Sequence, residues 1–337
     1  MRALFYSKHG SPDVLTLGKQ PRPSLDVADV LIKVAATGVN RLDIVQRNGW
    51  FTLPGFNLPH IPGMDLAGTI VDIGADVIGI DIGDRVVVDP SLHAVAGASH
   101  FVGHGDRYGQ LGVIGATHNG GYGELCAASA DHVHRLPEGM EFADAAVFAT
   151  AWMTTYHALF RVGELAPGET VLLHGATSAL TIAATQLAKA AGARVLVTAT
   201  SEDKCAVAEN LGASATISNG SNGNIDIAQW VREQTQGIGA NMVLDHVGPA
   251  LWEPSLLSLA PQGRLVSCGN TTGDSVTVPS LGFLFQRGIQ IKGSDAYFST
   301  DFAMVWEQYC TGIKHEVFNS QIQAHFAVED GAQAHRL

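Results

Sequence analysis

The rhythm of apolar and polar positions changes near residue 139. Before it, short β-branched runs alternate with glycine turns: VLIKVAATGVN (30–40), AGTIVDIG (67–74) and DRVVVDP (84–90). Runs of this kind bounded by Gly, Asp and Asn predict strands. No long helical period crosses this half, so it is expected to be a compact β-rich domain. After it, a helix-like stretch, AAVFATAWMTTYHALF (145–160), leads into the turn APGE (166–169). Short apolar runs then alternate with amphipathic stretches. TVLLH (170–174) precedes ALTIAATQLAKAAG (179–192), RVLVTAT (194–200) precedes DKCAVAENLG (203–212), and ATIS (215–218) precedes IDIAQWVREQT (225–235). MVLDHV (242–247) precedes LWEPSLLSL (251–259), and RLVSCG (264–269) and IQIKGS (289–294) close the series.

Strand and helix alternating through short connections predict a parallel sheet covered by helices on both faces. About six strands suit a doubly wound, Rossmann-type nucleotide-binding sheet. The expected fold class is therefore α/β. The expected domains are residues 1–138 with about 300–337, and residues 139–299.

The first strand–turn–helix of this series, VLLHGATSALTIAATQLAKA, carries the chemistry. A buried strand entering a small-residue turn aims backbone N–H groups and a helix N-terminus at a phosphate. In the G-x-G-x-x-G register the key positions are Ala176, Ser178 and Thr181, none of them glycine. A β-branched residue where helix and strand pack closest is expected to push the helix outward. The plain alternative is a strand–turn–helix that binds nothing. At the tip of the second strand stand Ala199, Thr200 and Ser201, then Lys204, where NAD enzymes place an acid. A cation without that acid favours the 2′-phosphate of NADPH, although Glu202 and Asp203 follow closely and Lys204 also reads as an ordinary exposed helix residue.

The landmarks GVNRLD (38–43), HIPGMDLAG (60–68), GDRVVV (83–88), GGYGEL (120–125), GETVLLHGA (168–176), LDHVG (244–248) and GRLVSCGNTTG (263–273) occur in one order along the chain. In them the chain resembles the medium-chain dehydrogenase/reductase superfamily, in its quinone oxidoreductase and zinc-type alcohol dehydrogenase branch. The resemblance implies a GroES-like catalytic domain beside the Rossmann domain, a cleft between them, and a homodimer or homotetramer. Zinc-dependent members place a Cys in the first landmark and a His–Glu pair in the second; here the positions read Asn40 and Met64–Asp65, and the relay hydroxyl falls on Leu42. Asn40 and Met64 are poor zinc ligands, so no catalytic zinc is expected. Zinc-free relatives usually carry A-x-S-G-x-G at the nucleotide turn, and here Ala179 and Thr181 take the two remaining glycine positions. Residues 89–119 resemble the lobe that holds a structural zinc, with His93, Ala96, Ser99 and Arg107 in place of its cysteines. With His100 and His104 nearby, either a replacement metal or solvated loop histidines fits the lobe.

If a nicotinamide cofactor binds, hydride passes to the substrate, and hydrogen-bond donors must stabilise the developing enolate or alkoxide. Loss of zinc favours conjugated enones and quinones, whose charge spreads. Candidate catalytic groups are Asn40, Asp43 and Thr154; Asp43 reads equally as a structural acid and Thr154 as helix core. Candidate cofactor contacts are Gly175, Ala176, Ser178, Ala179, Leu180, Ser201, Lys204, His246, Val247, Gly248, Cys268, Gly269 and Thr271. His246 alternatively is a satisfied strand-end histidine and Cys268 buried packing. Trp50, Phe51 and Trp152 are candidate walls of an apolar substrate pocket, or core aromatics. A second reading has the chain repurposed, without cofactor, to bind a small molecule or catalyse a cyclisation or isomerisation.

The remaining bulk properties only narrow this. A net charge of −12 with no basic run argues against a nucleic-acid partner. Four scattered cysteines without a C-x-x-C pair fit a reduced, cytoplasmic setting. No apolar run approaches the ~20 residues of a membrane helix, and the N-terminus lacks a signal-like core.

Overall fold

The computed structural model describes residues 1–53, 55–92, 112–220, 225–278 and 280–337. The chain divides into two compact units. One comprises Met1–Thr150, Phe302–Trp306 and Ser320–Leu337; the other comprises Ala151–Asp301 and Glu307–Asn319.

The first unit is built on strands. β1 (Arg2–Phe5) and β2 (Thr16–Lys19) form an antiparallel pair. β3 (Asp29–Thr37), β4 (Leu66–Ile73), β5 (Arg85–Val88), the short pair β6 (Ser91–Leu92) and β7 (Gly112–Val113), β8 (Leu125–Ser129) and β9 (Val133–Arg135) follow. Five of them make one antiparallel sheet in the order β8-β3-β4-β5-β9. Its inward positions, among them Val30, Ile32, Leu66, Ile70, Val86 and Val88, form a single apolar cluster. Leu31, Ala67 and Val87, which lie between them along the strands, are buried as well.

One helix in this unit departs from the β-rich expectation. α1 (Arg41–Asn48) buries Asp43, Gln46 and Arg47. These sit at helical spacing, but all three are polar, so the apolar pattern carries no trace of the helix. It ends at Gly49, whose φ of +78° supplies the left-handed cap.

In the second unit, α2 (Ala149–Tyr156), which begins at the end of the first unit, continues into a wider π-type turn over His157–Val162. Then β10 (Thr170–His174), α3 (Ala179–Ala190), β11 (Arg194–Ala199), α4 (Glu202–Leu211), β12 (Ala215–Ser218), α5 (Ile227–Gln234), β13 (Ala240–Asp245), α6 (Trp252–Leu257), β14 (Leu259–Ser267), α7 (Leu281–Arg287) and β15 (Gln290–Gly293) alternate. All six strands pair in parallel in the order β12-β11-β10-β13-β14-β15. This is the order of a dinucleotide-binding Rossmann sheet, with the chain reversing direction between β10 and β13. Central β10 is buried at every position, as expected for a strand covered on both faces. In α3 every residue from Thr181 to Ala188 is buried, and its alanines let it lie close to the sheet. α8 (Phe302–Lys314) follows. No helix among the described residues is long and apolar enough to cross a membrane.

Candidate active site

The nucleotide candidates gather at the carboxyl ends of four neighbouring strands. Gly175, Ala176, Ser178, Ala179 and Leu180 form the turn from β10 into α3. Ser201 and Lys204 follow β11, Val247 and Gly248 follow β13, and Cys268, Gly269 and Thr271 follow β14. The turn is tied to its neighbour strand, since the N–H groups of Gly175 and Ala176 both donate to the Thr198 carbonyl, at 2.9 and 3.2 Å. Gly175 has φ +71°, and an added Cβ there would meet nothing nearer than 3.9 Å, so the backbone lies open. The first N–H groups of α3, on Ala179, Leu180 and Thr181, have no intrahelical acceptor, and Ala179 is exposed.

Thr181 does not fill that opening. Its side chain is buried, and its hydroxyl donates to the carbonyl of His174 at 2.5 Å. The helix stands off the strand end by one hydrogen-bonded hydroxyl, and the expected steric conflict becomes a bridge. His246 completes it, with Nε2 3.0 Å from the same carbonyl and 3.2 Å from the Thr181 hydroxyl. His246, a candidate cofactor contact, thus engages its Nε2 inside the unit, as a satisfied strand-end histidine does. Burial pushes the His246 imidazole below its ordinary range. Gly269 belongs to the same packing, since a Cβ there would sit 3.2 Å from the His246 carbonyl oxygen.

A second buried histidine went unremarked in the sequence, although a His closing the apolar run VLLH was a signal. His174 Nε2 lies 2.9 Å from the Ser255 hydroxyl and Nδ1 2.9 Å from that of Thr198. The Ser255 proton goes to the Leu251 carbonyl, so Nε2 carries the ring proton and Nδ1 accepts from Thr198. Burial pushes this imidazole down to about 3; it is a neutral structural link.

The loops after β13 and β14 are also fixed internally. The N–H groups of Val247 and Gly248 both donate to Asp245 Oδ1 at 3.0 Å, and the Thr271 hydroxyl donates to the His246 carbonyl at 2.9 Å. Those groups shape the loop and are not free for a ligand. Burial pushes the half-buried Cys268 thiol up to about 12, which makes it an inert packing group. At the β11 tip, Lys204 Nζ donates to the Thr200 hydroxyl at 3.1 Å across an exposed surface.

In the first unit Asn40 caps α1, and its N–H donates to Asp43 Oδ2 at 2.8 Å. The other Asp43 oxygen accepts from the Gly63 N–H at 2.9 Å. Asp43 is 1% exposed, and burial pushes its carboxyl up to about 7 despite both bonds. Two backbone donors on a buried carboxylate fit the structural role better than the catalytic one. Asp65 accepts from the N–H and hydroxyl of Thr150, at 3.0 and 2.6 Å, and burial pushes it up to about 6. The Asn40 side chain faces this carboxyl. Its buried Nδ2 is drawn to that carboxyl without completing a well-aligned hydrogen bond.

Trp152 is a core aromatic, 2% exposed and packed on Tyr309 and Phe318 at 4.7 and 4.9 Å. This is the core packing that was the alternative reading of Trp152. Trp50 and Phe51 are 69% and 51% exposed, and Thr154 lies half-buried on α2. His93, His100 and His104 lie outside the described residues.

The donor set does not suit a catalytic zinc. Met64 is fully buried, Asn40 is a neutral amide, and Asp65 is engaged by Thr150. A nicotinamide dinucleotide does suit the second unit, because the β10–α3 turn is open where a pyrophosphate needs it to be.

Two family descriptions match the chain: an alcohol dehydrogenase GroES-like domain over residues 26–138 and a zinc-binding dehydrogenase domain over 179–309. A quinone oxidoreductase of Pseudomonas aeruginosa is 30% identical over 335 residues, covering 98% of this chain and 93% of the relative. Among solved structures, an NAD-dependent alcohol dehydrogenase superposes with a TM-score of 0.86 at 27% identity, over 100% of this chain and 95% of the other. The Escherichia coli quinone oxidoreductase complexed with NADPH superposes with a TM-score of 0.80 at 26% identity, over 100% and 95%. Both halves of the sequence thus match the same family in order, and the chain belongs to the medium-chain dehydrogenase/reductase superfamily.

Proposed function

We propose that the protein is an NADPH-dependent, zinc-independent reductase of quinones or conjugated enones. The observation that carries this reading is the direction of Thr181. Its side chain turns inward to the His174 carbonyl and leaves the open turn at Gly175 to a pyrophosphate. The same observation removes the main ground for a cofactor-free, repurposed protein.

Ala179 and Leu180 would hold the pyrophosphate through backbone N–H groups at the helix N-terminus, where the dipole favours negative charge; the Ser178 N–H already donates to the Gly175 carbonyl at 2.8 Å. Ser201 and Lys204 would take the 2′-phosphate, Lys204 as a point charge. The bound nicotinamide supplies the hydride. Asn40 would present Nδ2, whose hydrogen bonding is incomplete, to the substrate oxygen on which charge develops. A quinone or enone spreads that charge over a conjugated system, so a neutral amide donor suffices where a simple ketone would need a metal. The four cysteines are free, in keeping with a cytoplasmic setting. A second copy of the chain would pair at β15, one of the two edge strands of the sheet, where Leu281 and Phe285 on α7 are exposed.

The test is the rate of NADPH oxidation with a quinone acceptor, with and without a strong chelator. The expected result is turnover that the chelator leaves unchanged. Asn40→Ala should lower kcat/KM roughly 100-fold, the loss typical of one oxyanion donor. Turnover lost on chelation, or an Asn40→Ala variant as fast as wild type, would overturn the reading.

A further inference from the structure

Beneath α1 lies a set of buried polar groups that the proposed chemistry does not use. Arg47, in the last turn of the helix, is 2% exposed. Its guanidinium is met by neutral acceptors: the Gly10 carbonyl at 3.1 Å, Asn48 Oδ1 at 2.8 Å and His335 Nδ1 at 2.7 Å. A guanidinium only donates, so Nδ1 of His335 is the acceptor and Nε2 carries the proton. That proton is donated to the Tyr122 hydroxyl, 2.9 Å away.

The Tyr122 ring in turn lies against Gly63, where an added Cβ would sit 2.4 Å from its Cδ1. Gly63 donates its N–H to Asp43, and Asp43 holds the N–H of Asn40. The contacts thus close a ring that begins and ends on α1, through Asp43, Gly63, Tyr122, His335 and Arg47. His335 is the member that joins the far end of the helix to the loop gripping its near end.

We propose that His335 is a positioning residue for Asn40, tying Arg47 to Tyr122 and so fixing the helix from which Asn40 presents its side-chain amide. The proposal rests on the reductase reading in taking Asn40 as the donor to substrate. Burial, and next the Arg47 charge, push the His335 imidazole down to about 4. The ring is therefore neutral at neutral pH, and its two nitrogens keep distinct roles. Arg336, beside it, pairs with Asp13, and Arg2 pairs with Glu329 at 2.8 Å. These exposed pairs locate the segment but contribute little to its hold.

Two substitutions separate positioning from bulk. His335→Gln keeps an acceptor for Arg47 and a donor for Tyr122, whereas His335→Leu keeps the volume and loses both. The expected result for His335→Leu is faster deuterium exchange in the peptide spanning residues 38–49, by about tenfold, with peptides of β10–β12 unchanged. His335→Gln should stay near wild type. In quinone reduction His335→Leu should lower kcat/KM about tenfold alone but less than about twofold in the Asn40→Ala background, because groups acting through one another are not additive. Unchanged exchange over 38–49, or full additivity with Asn40→Ala, would overturn the proposal. If wild-type protein reduces no quinone, the reductase reading fails while the exchange arm still decides the role of His335. Should His335→Leu not fold, Tyr122→Phe, which removes only the hydroxyl, carries the same measurements.

Discussion

Thr181→Gly removes the hydroxyl that bridges β10 and α3 and the side chain that stiffens the helix's first turn. One lost buried hydrogen bond and one glycine in a helix together cost about 2 kcal/mol. Urea denaturation should show that loss, while Thr181→Ser, which keeps the hydroxyl, should stay within about 1 kcal/mol of wild type. A glycine variant as stable as wild type would mean that the hydroxyl bridges nothing. At Lys204 the issue is selectivity. Lys204→Ala should weaken NADPH about tenfold, ~1.4 kcal/mol, and leave NADH unchanged. Equal effects on both cofactors would remove Lys204 from the 2′-phosphate site. The residue types at these positions were legible in the sequence, but the direction of a side chain was not. Thr181 read as an obstacle because register shows where a Cβ starts and nothing of which acceptor its hydroxyl finds. His246 read equally as a ligand contact or as a satisfied strand-end histidine for the same reason.

Elements were legible where apolar residues alone decide burial. The alternation from TVLLH to IQIKGS became the six parallel strands, because the central strands β10, β11 and β13 are almost wholly buried and helices α3 to α6 each bury one face. In α8, which was not among the predicted elements, Phe302, Val305, Trp306 and Tyr309 are all buried at helical spacing. α1 escaped because its buried face is Asp43, Gln46 and Arg47, and a helix that buries polar groups leaves no hydrophobic period. That burial has a titratable consequence. With Asp43 pushed up to about 7 and Asp65 to about 6, carbon-13 NMR of aspartate-labelled protein should show two carboxyls with midpoints in that range, far above the ordinary 3.9. Asp43→Asn should remove the higher one. Aspartates all titrating near 4 would contradict the buried geometry of α1.

At the scale of the whole molecule the two units should answer acid differently. In the second unit His174 and His246 have imidazoles pushed down by burial. They are neutral when folded and protonate at about 6.5 when unfolded. Their contribution is full above 6.5 and is lost as pH falls from there toward the folded value of about 3 at His174, at up to ~1.4 kcal/mol per pH unit for each group. The first unit has depressed histidines too, at His60, His134 and His335. There Asp43 and Asp65 act in the opposite sense, because a raised carboxyl contributes stability at low pH that is lost as pH rises from about 4 toward 6 and 7. Near pH 5 the terms oppose each other in the first unit and add in the second. Hydrogen exchange at that pH should therefore open peptides of β10–β14 before those of β3–β5; the reverse order would contradict the assignment of neutral buried histidines.

The claim on which the functional account stands is that the turn from β10 into α3 receives a dinucleotide. Calorimetric titration of the purified protein with NADPH tests it most directly. The account predicts saturable one-site binding with a Kd in the micromolar range, about −8 kcal/mol, tighter than for NADH. No heat of binding at millimolar NADPH would contradict it.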